Sequence, residues 1–169
     1  CILGTGHNMC FINSNGEAIN TESGGFNSPE IPLTEYDEEF LNEIPKERSC
    51  LLEALVGGKN IAKLARVVIN SLVEKGCVKQ FDQITSEMMS ASITDDLDTL
   101  DVWQNCALRE VSKIIYCRAA HLIACELVAV FRYLGVTEGS YAVAFDGSVY
   151  EKVPYFRECL TKELGKLSG

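Results

Sequence analysis

The feature that most constrains the fold is the apolar periodicity of residues 102–134. Leu108, Val111, Ile115, Ala119 and Leu122 recur at three- and four-residue spacing, and Ala107, Ile114, Cys125 and Val128 widen the stripe. Such spacing puts the side chains on one face of a long α-helix. Residues 122–131 are apolar on most sides, which predicts that this half is buried. Gly135 then supplies the helix stop.

The remaining segments read as shorter elements. Residues 1–3 and 9–12 are short apolar runs joined by Gly4-Thr5-Gly6-His7-Asn8, and Ala18-Ile19 begins a third strand after the turn Ser14-Asn15-Gly16. These predict a small antiparallel meander, followed by a loop through Gly24, Gly25 and Pro29. Thr34 is an N-cap, and the acids Glu35, Asp37, Glu38 and Glu39 suit a solvated first turn. Pro45 restarts the chain. Leu51, Leu52, Leu55 and Val56 make a short amphipathic helix ending at Gly57-Gly58. Asn60 caps the next, where Ile61, Leu64, Ala65, Val68, Ile69 and Leu72 recur before Gly76. Ile84, Met88 and Met89 suggest a further helix with methionine as core filler. After the long helix, residues 141–145 read as a strand, and Pro154, Phe156, Leu160 and Leu164 as a last helix.

Length and composition narrow the class. With 169 residues and 18.6 kDa, the chain has room for one domain or one lobe, and its 47% hydrophobic content is enough for a core. The formal charge of −9 argues against non-specific binding to nucleic acid or anionic membrane. No stretch approaches the roughly 18 apolar residues of a membrane span. The first residue is Cys1, not Met, so the chain reads as a piece of a longer product. The eight cysteines form no C-x-x-C pair and only His7 and His121 accompany them, so no zinc site is expected. The expectation is buried, reduced thiols in a cytoplasmic protein.

Glycine-bearing turns and two carboxylates hold the chemistry. Gly4-Thr5-Gly6 and Asp146-Gly147-Ser148 each follow a strand reading, and such turns let backbone amides and a hydroxyl approach phosphate. Taken singly, each is more often a plain turn. Gly57-Gly58 precedes a helix whose N-terminus can face a nucleotide. Glu22 and Glu53 lie beside glycines near element ends, where they can accept from sugar hydroxyls, and Asn8 offers both donor and acceptor. There is no P-loop, no dinucleotide fingerprint and no nucleophile elbow.

In order along the chain, several segments carry a family likeness. Leu3-Gly4-Thr5-Gly6-His7-Asn8 resembles the hexokinase segment in which a G-T-G turn and an Asn lie between strands. Asn20-Thr21-Glu22-Ser23-Gly24-Gly25-Phe26 is similar to its N-x-E-W-G-x-F, with Ser23 in place of Trp. Thr34-Glu35-Tyr36-Asp37 resembles T-E-[FY]-D, and Leu52-Glu53-Ala54-Leu55-Val56-Gly57-Gly58 resembles F-E-K-M-I-S-G. Arg118-Ala119-Ala120 echoes a pair in the family's long helix, and Phe145-Asp146-Gly147-Ser148-Val149-Tyr150 resembles its D-G-[ST] turn.

The resemblance implies an α/β chain, a fragment of the actin-like/ribonuclease H-like ATPase fold: β-meander, helical block, long helix, strand and final helix. Residues 1–169 would be a partial large domain of an ATP-dependent hexose kinase. Asn8, Glu22 and Glu53 would bind hexose, converging on one cleft with Thr5 and Ser148. Gly4, Thr5, Gly6, Gly58, Lys59, Asp146, Gly147 and Ser148 would lie along ATP, with Mg²⁺ held mainly by ATP and by segments outside this chain. The catalytic Asp and a downstream nucleotide connector would also lie outside it, leaving the piece inactive alone. Its partners would be hexose, ATP and the missing half of the same polypeptide, or further copies of itself, and neither nucleic acid nor membrane. The rival readings are a non-catalytic sugar sensor or regulatory lobe, and a helical interaction module.

Overall fold

The periodic segment forms α5 (Val102–Tyr133), started by a reciprocal cap in which Asp101 accepts from the Gln104 backbone and the Gln104 side chain accepts from the Asp101 N–H. The structure, a computed structural model, describes residues 1–44, 49–94, 99–136 and 141–167. Leu108, Val111, Ile115 and Ala119 are buried as the stripe requires. Ile114 and Cys125, expected to widen it, face outward, Ile114 being 67% exposed. At 3.6 residues per turn Ile114, Cys125 and Ala129 fall on one exposed side of the helix, with His121 on the same side reaching Glu163 of the final helix at 3.0 Å. The second half is therefore buried through Ile123, Ala124, Leu127 and Val128 but not all round. By length and composition α5 is long and apolar enough to cross a membrane, contrary to the expectation, and 44% of its most apolar 18-residue window is buried inside the fold.

The other helices dock on this axis. α7 (Pro154–Leu167) makes the most extensive contact and buries Phe156, Cys159 and Leu160. α4 (Ser86–Thr94), α3 (Gly58–Glu74) and α2 (Leu51–Val56) complete the surround. Met89 is fully buried, the filler role read from its spacing. Gly57, not Asn60, is the N-cap of α3. Its carbonyl accepts from the Asn60 and Ile61 amides, so Asn60 sits inside the first turn with its side chain buried. Gly76 does end the helix, its amide and that of Cys77 donating to Val73 and Leu72.

α1 (Glu35–Glu43) starts from Thr34 with a capping box to Asp37. Asp37 is not on a solvated face: it is completely buried, with Arg118 Nη1 of α5 2.6 Å from its Oδ1. Arg118 Nη2 also donates to the Pro32 carbonyl at 3.0 Å. The T-E-Y-D and R-A-A segments are thus one buried contact. Pro45 lies outside the described residues.

The opening meander is two short hairpins. β1 (Ile2–Leu3) pairs antiparallel with β2 (His7–Asn8), and β3 (Cys10–Ile12) with β4 (Ala18–Asn20). His7 and Asn8 belong to a strand and not to the joining turn, because Gly4 N–H to Gly6 O at 3.1 Å already closes the reversal. Residues 141–145 form no strand. Only Asp146 bridges, in parallel, to Ile2, since β1 is two residues long and its other edge carries β2. A short helix, α6 (Ser148–Lys152), leads into α7. All eight thiols are free, but only Cys159 is buried; Cys10, Cys77, Cys106 and Cys125 are exposed, contrary to the expectation. Cys106 and Cys125 are exposed because they fall on outward faces of α5.

Candidate functional site

Two glycine turns lie back to back. Leu3 N–H donates to Asp146 O at 2.7 Å and Asp146 N–H to Cys1 O at 3.0 Å, which draws the Asp146-Gly147-Ser148 turn against Gly4-Thr5-Gly6. Gly147 has φ +118°, and a Cβ there would lie 2.4 Å from the Leu3 carbonyl oxygen and 2.7 Å from the Gly4 nitrogen. Only glycine permits that approach. The start of α3 is locked to the first turn as well: Gly58 N–H donates to Gly4 O at 2.8 Å and Lys59 N–H to Thr5 O at 3.2 Å. The amides of the first turn of α3 are therefore occupied by protein, so α3 offers a wall and a lysine, not free N–H groups.

Between these turns and the helices opens a cavity of about 690 Å³. Of the residues anticipated along a nucleotide, Gly4, Thr5, Gly58, Lys59 and Ser148 line it, and Gly6, Asp146 and Gly147 stand behind as backbone support. Ser86, Ser90, Tyr116 and Lys152 line it too. Ser86 donates to the Gly58 carbonyl at 3.1 Å and Ser90 to the Lys152 carbonyl at 3.3 Å, tying α4 to both walls. The Glu87 carboxyl is held below its ordinary range by its own backbone N–H, then by the Thr85 hydroxyl and the Lys152 charge. Burial pushes the Tyr116 phenol well up, with the Glu87 charge adding to it, so its O–H stays a neutral donor.

A polar cluster lies at the Gly6 end of the Gly4–Gly6 turn. Asn8 Nδ2 donates to Asn20 Oδ1 at 2.8 Å, and Asn20 Nδ2 donates to Glu22 Oε1 at 2.5 Å. Glu22 has φ +48°, the one positive value at a non-glycine among the described residues, and leads into a single 3₁₀ turn, Ser23–Gly25. Glu53, on α2, accepts the His7 backbone N–H on Oε2 at 3.0 Å. Gly24 makes room for it: a Cβ there would meet the His7 carbonyl at 2.5 Å and Glu53 Cβ at 3.3 Å. The structure thus groups Asn8 and Glu22 through Asn20, with Glu53 beside them against β2. None of the three lines the 690 Å³ cavity; the turn itself has Glu53 against Gly6 and Ser148 against Gly4.

Some of this was readable in principle. Ser86, Ser90 and Thr94 recur every four residues, a hydroxyl stripe on one face of α4. Asn20 depends on the β3–β4 register, which the Asn13–Glu17 turn fixes and which places Asn20 opposite Cys10, next to Asn8. Among the described residues no group of three His, Cys, Asp or Glu side chains is placed to hold a metal ion.

The family model described as Hexokinase matches residues 1–169. Hexokinase-1 of Saccharomyces cerevisiae is 30% identical over 90% of this chain and 36% of its own length. Hexokinase-7 of Oryza sativa subsp. japonica is 25% identical over 99% of this chain and 46% of its own. Among solved structures, a hexokinase from Schistosoma mansoni complexed with glucose superposes with TM-score 0.75 at 24% identity, over 98% of this chain and 46% of that one. Another hexokinase crystal structure gives TM-score 0.79 at 22% identity, over 99% and 43%. This chain spans less than half the length of these relatives. Matched by the family along all of residues 1–169, with an α/β structure consistent with the actin-like ATPase fold, it belongs to the hexokinase family.

Proposed function

We propose that this chain is the partial large domain of an ATP-dependent hexose kinase, which transfers the terminal phosphoryl group of ATP to the 6-hydroxyl of glucose or a similar hexose. One observation carries the reading: a single turn, Gly4-Thr5-Gly6, lines the cavity through Gly4 and Thr5 and meets the Glu53 carboxylate at Gly6, so acceptor and phosphate donor would meet at its tip. Glu22 and Glu53 would accept from hexose hydroxyls, and Asn8 would both donate and accept. Thr5, Ser148 and Lys59 would face the nucleotide, and Lys152 and Ser90 would add a cation and a hydroxyl.

The cavity volume lies within the range of roughly 300–1,000 Å³ usual for small-ligand sites, and its hydroxyl and ammonium groups suit a phosphate chain. Mg²⁺ would arrive on ATP and be held mainly by it and by the rest of the protein. The catalytic base and the rest of the nucleotide clamp would likewise come from the remainder of the polypeptide. Phosphoryl transfer depends on all these groups acting together, and this piece alone would be inactive. The free state of all eight thiols supports a cytoplasmic setting.

Calorimetry of the full-length protein with glucose, before and after Mg·ATP, tests the reading. E22Q and E53Q are each expected to weaken glucose binding by about tenfold or more, the loss of a charge-assisted hydrogen bond. Unchanged glucose affinity in both variants refutes the assignment.

A further inference from the structure

His7 is a buried imidazole to which the two clusters above give no role. Its Nδ1 lies 3.1 Å from the Ile2 carbonyl oxygen, and its Nε2 lies 2.7 Å from Glu126 Oε2 on α5. A carbonyl only accepts, so Nδ1 carries a hydrogen. The Nε2–carboxyl contact then needs a second hydrogen, on the ring or on the carboxyl. Without it, a nitrogen lone pair would face a carboxylate oxygen at hydrogen-bond distance. The other carboxyl oxygen, Glu126 Oε1, is buried with no hydrogen-bond partner among the described residues, so nothing there compensates a bare charge.

The surroundings offer few alternatives. From α2, Glu53 meets the His7 backbone N–H; from the 3₁₀ turn, Ser23 Oγ lies 3.3 Å from Nε2, preceded by Glu22; from β1 only the Ile2 carbonyl approaches. One turn from Glu126 along α5, Leu122, Ile123, Ala129 and Val130 carry no charge. The imidazole therefore fastens to α5 the strand that bears Asn8 and holds Glu53, and it touches the turn that Glu22 begins.

We propose that His7 and Glu126 share one proton as a positioning pair, and that losing this proton as pH rises loosens the hexose site. The inference rests on reading Asn8, Glu22 and Glu53 as hexose ligands. The pair is intact at low pH, where the proton is retained, and opens as pH rises and the proton leaves.

The test is the glucose affinity of the full-length protein by calorimetry over a series of rising pH values. Wild type is expected to weaken about tenfold or more across it, the order for losing one hydrogen bond to a charged group. In E126Q the amide donates to His7 Nε2 without a titrating proton, so affinity stays within about twofold of the low-pH wild-type value throughout. H7Q, whose amide donates to Glu126, serves as the second variant should E126Q fail to fold, and is expected to give an equally flat profile. A flat wild-type profile, or an equal fall in the variant, overturns the proposal. Thermal unfolding over the same range separates the two layers. Absence of glucose binding by wild type at every pH refutes the ligand reading and the hexose half of the proposal. A stability loss at high pH that is absent from E126Q then upholds the shared proton, and identical stability profiles refute that too.

Discussion

Replacing Gly147 by Ala tests the back-to-back turns directly. The residue sits at φ +118° and ψ 152°, a region essentially closed to residues with a Cβ. That conformation alone costs about 1–3 kcal/mol. The new carbon would also lie 2.4 Å and 2.5 Å from the Leu3 carbonyl oxygen and carbon, and 2.7 Å from the Gly4 nitrogen. All three are backbone atoms of the paired turn, so no side chain can swing away. Relieving the overlap means parting the turns and losing the hydrogen bond from Leu3 N–H to Asp146 O, a further cost of about 1–3 kcal/mol. The sum is about 2–6 kcal/mol. Gly16→Ala is the matched control, because Gly16 also has positive φ (+81°) but nothing within 4 Å of its Cβ. It is expected to cost about 1 kcal/mol, conformational strain alone. Urea unfolding of both variants of the full-length protein gives the comparison. Losses that agree within about 0.5 kcal/mol would refute the close-approach account.

Other outcomes follow from the same geometry. R118M strands the fully buried Asp37 carboxylate and is expected to destabilise by about 2–4 kcal/mol, the lower part of the buried-pair range because Arg118 is 28% exposed; a double-mutant cycle with D37N showing no coupling would contradict this. K152M should weaken ATP binding by about tenfold while leaving glucose affinity unaltered, and an equal effect on both ligands in calorimetry would count against the division of the site. Lys166, then His121, hold the Glu163 carboxyl below its ordinary 4.5. A lowered carboxyl adds stability that is complete above the ordinary value and disappears as pH falls through the lowered one. Acid unfolding of wild type should therefore show a component below about pH 4.5 that E163Q lacks, and superimposable profiles would exclude it.

The local code was strong wherever one element suffices. The spacing of Leu108, Val111, Ile115 and Ala119 determined a long helix and its buried face, Thr34 its capping box, and Gly76 a helix end. The ordered segments from Leu3 to Tyr150 also carried the family, because turn glycines and their neighbours are short-range features. Tertiary structure decided the rest. Burial of Asp37 depends on Arg118, 81 positions away, and exposure of Ile114 and Cys125 depends on which side of α5 the other helices leave exposed. The strand expected at residues 141–145 needs a partner edge, and β1 offers one bridge only. His7 meets Glu126 across 119 positions. Propensity and periodicity act within a few turns of chain, whereas charge pairing and the facing of glycine turns exist only once distant segments have packed.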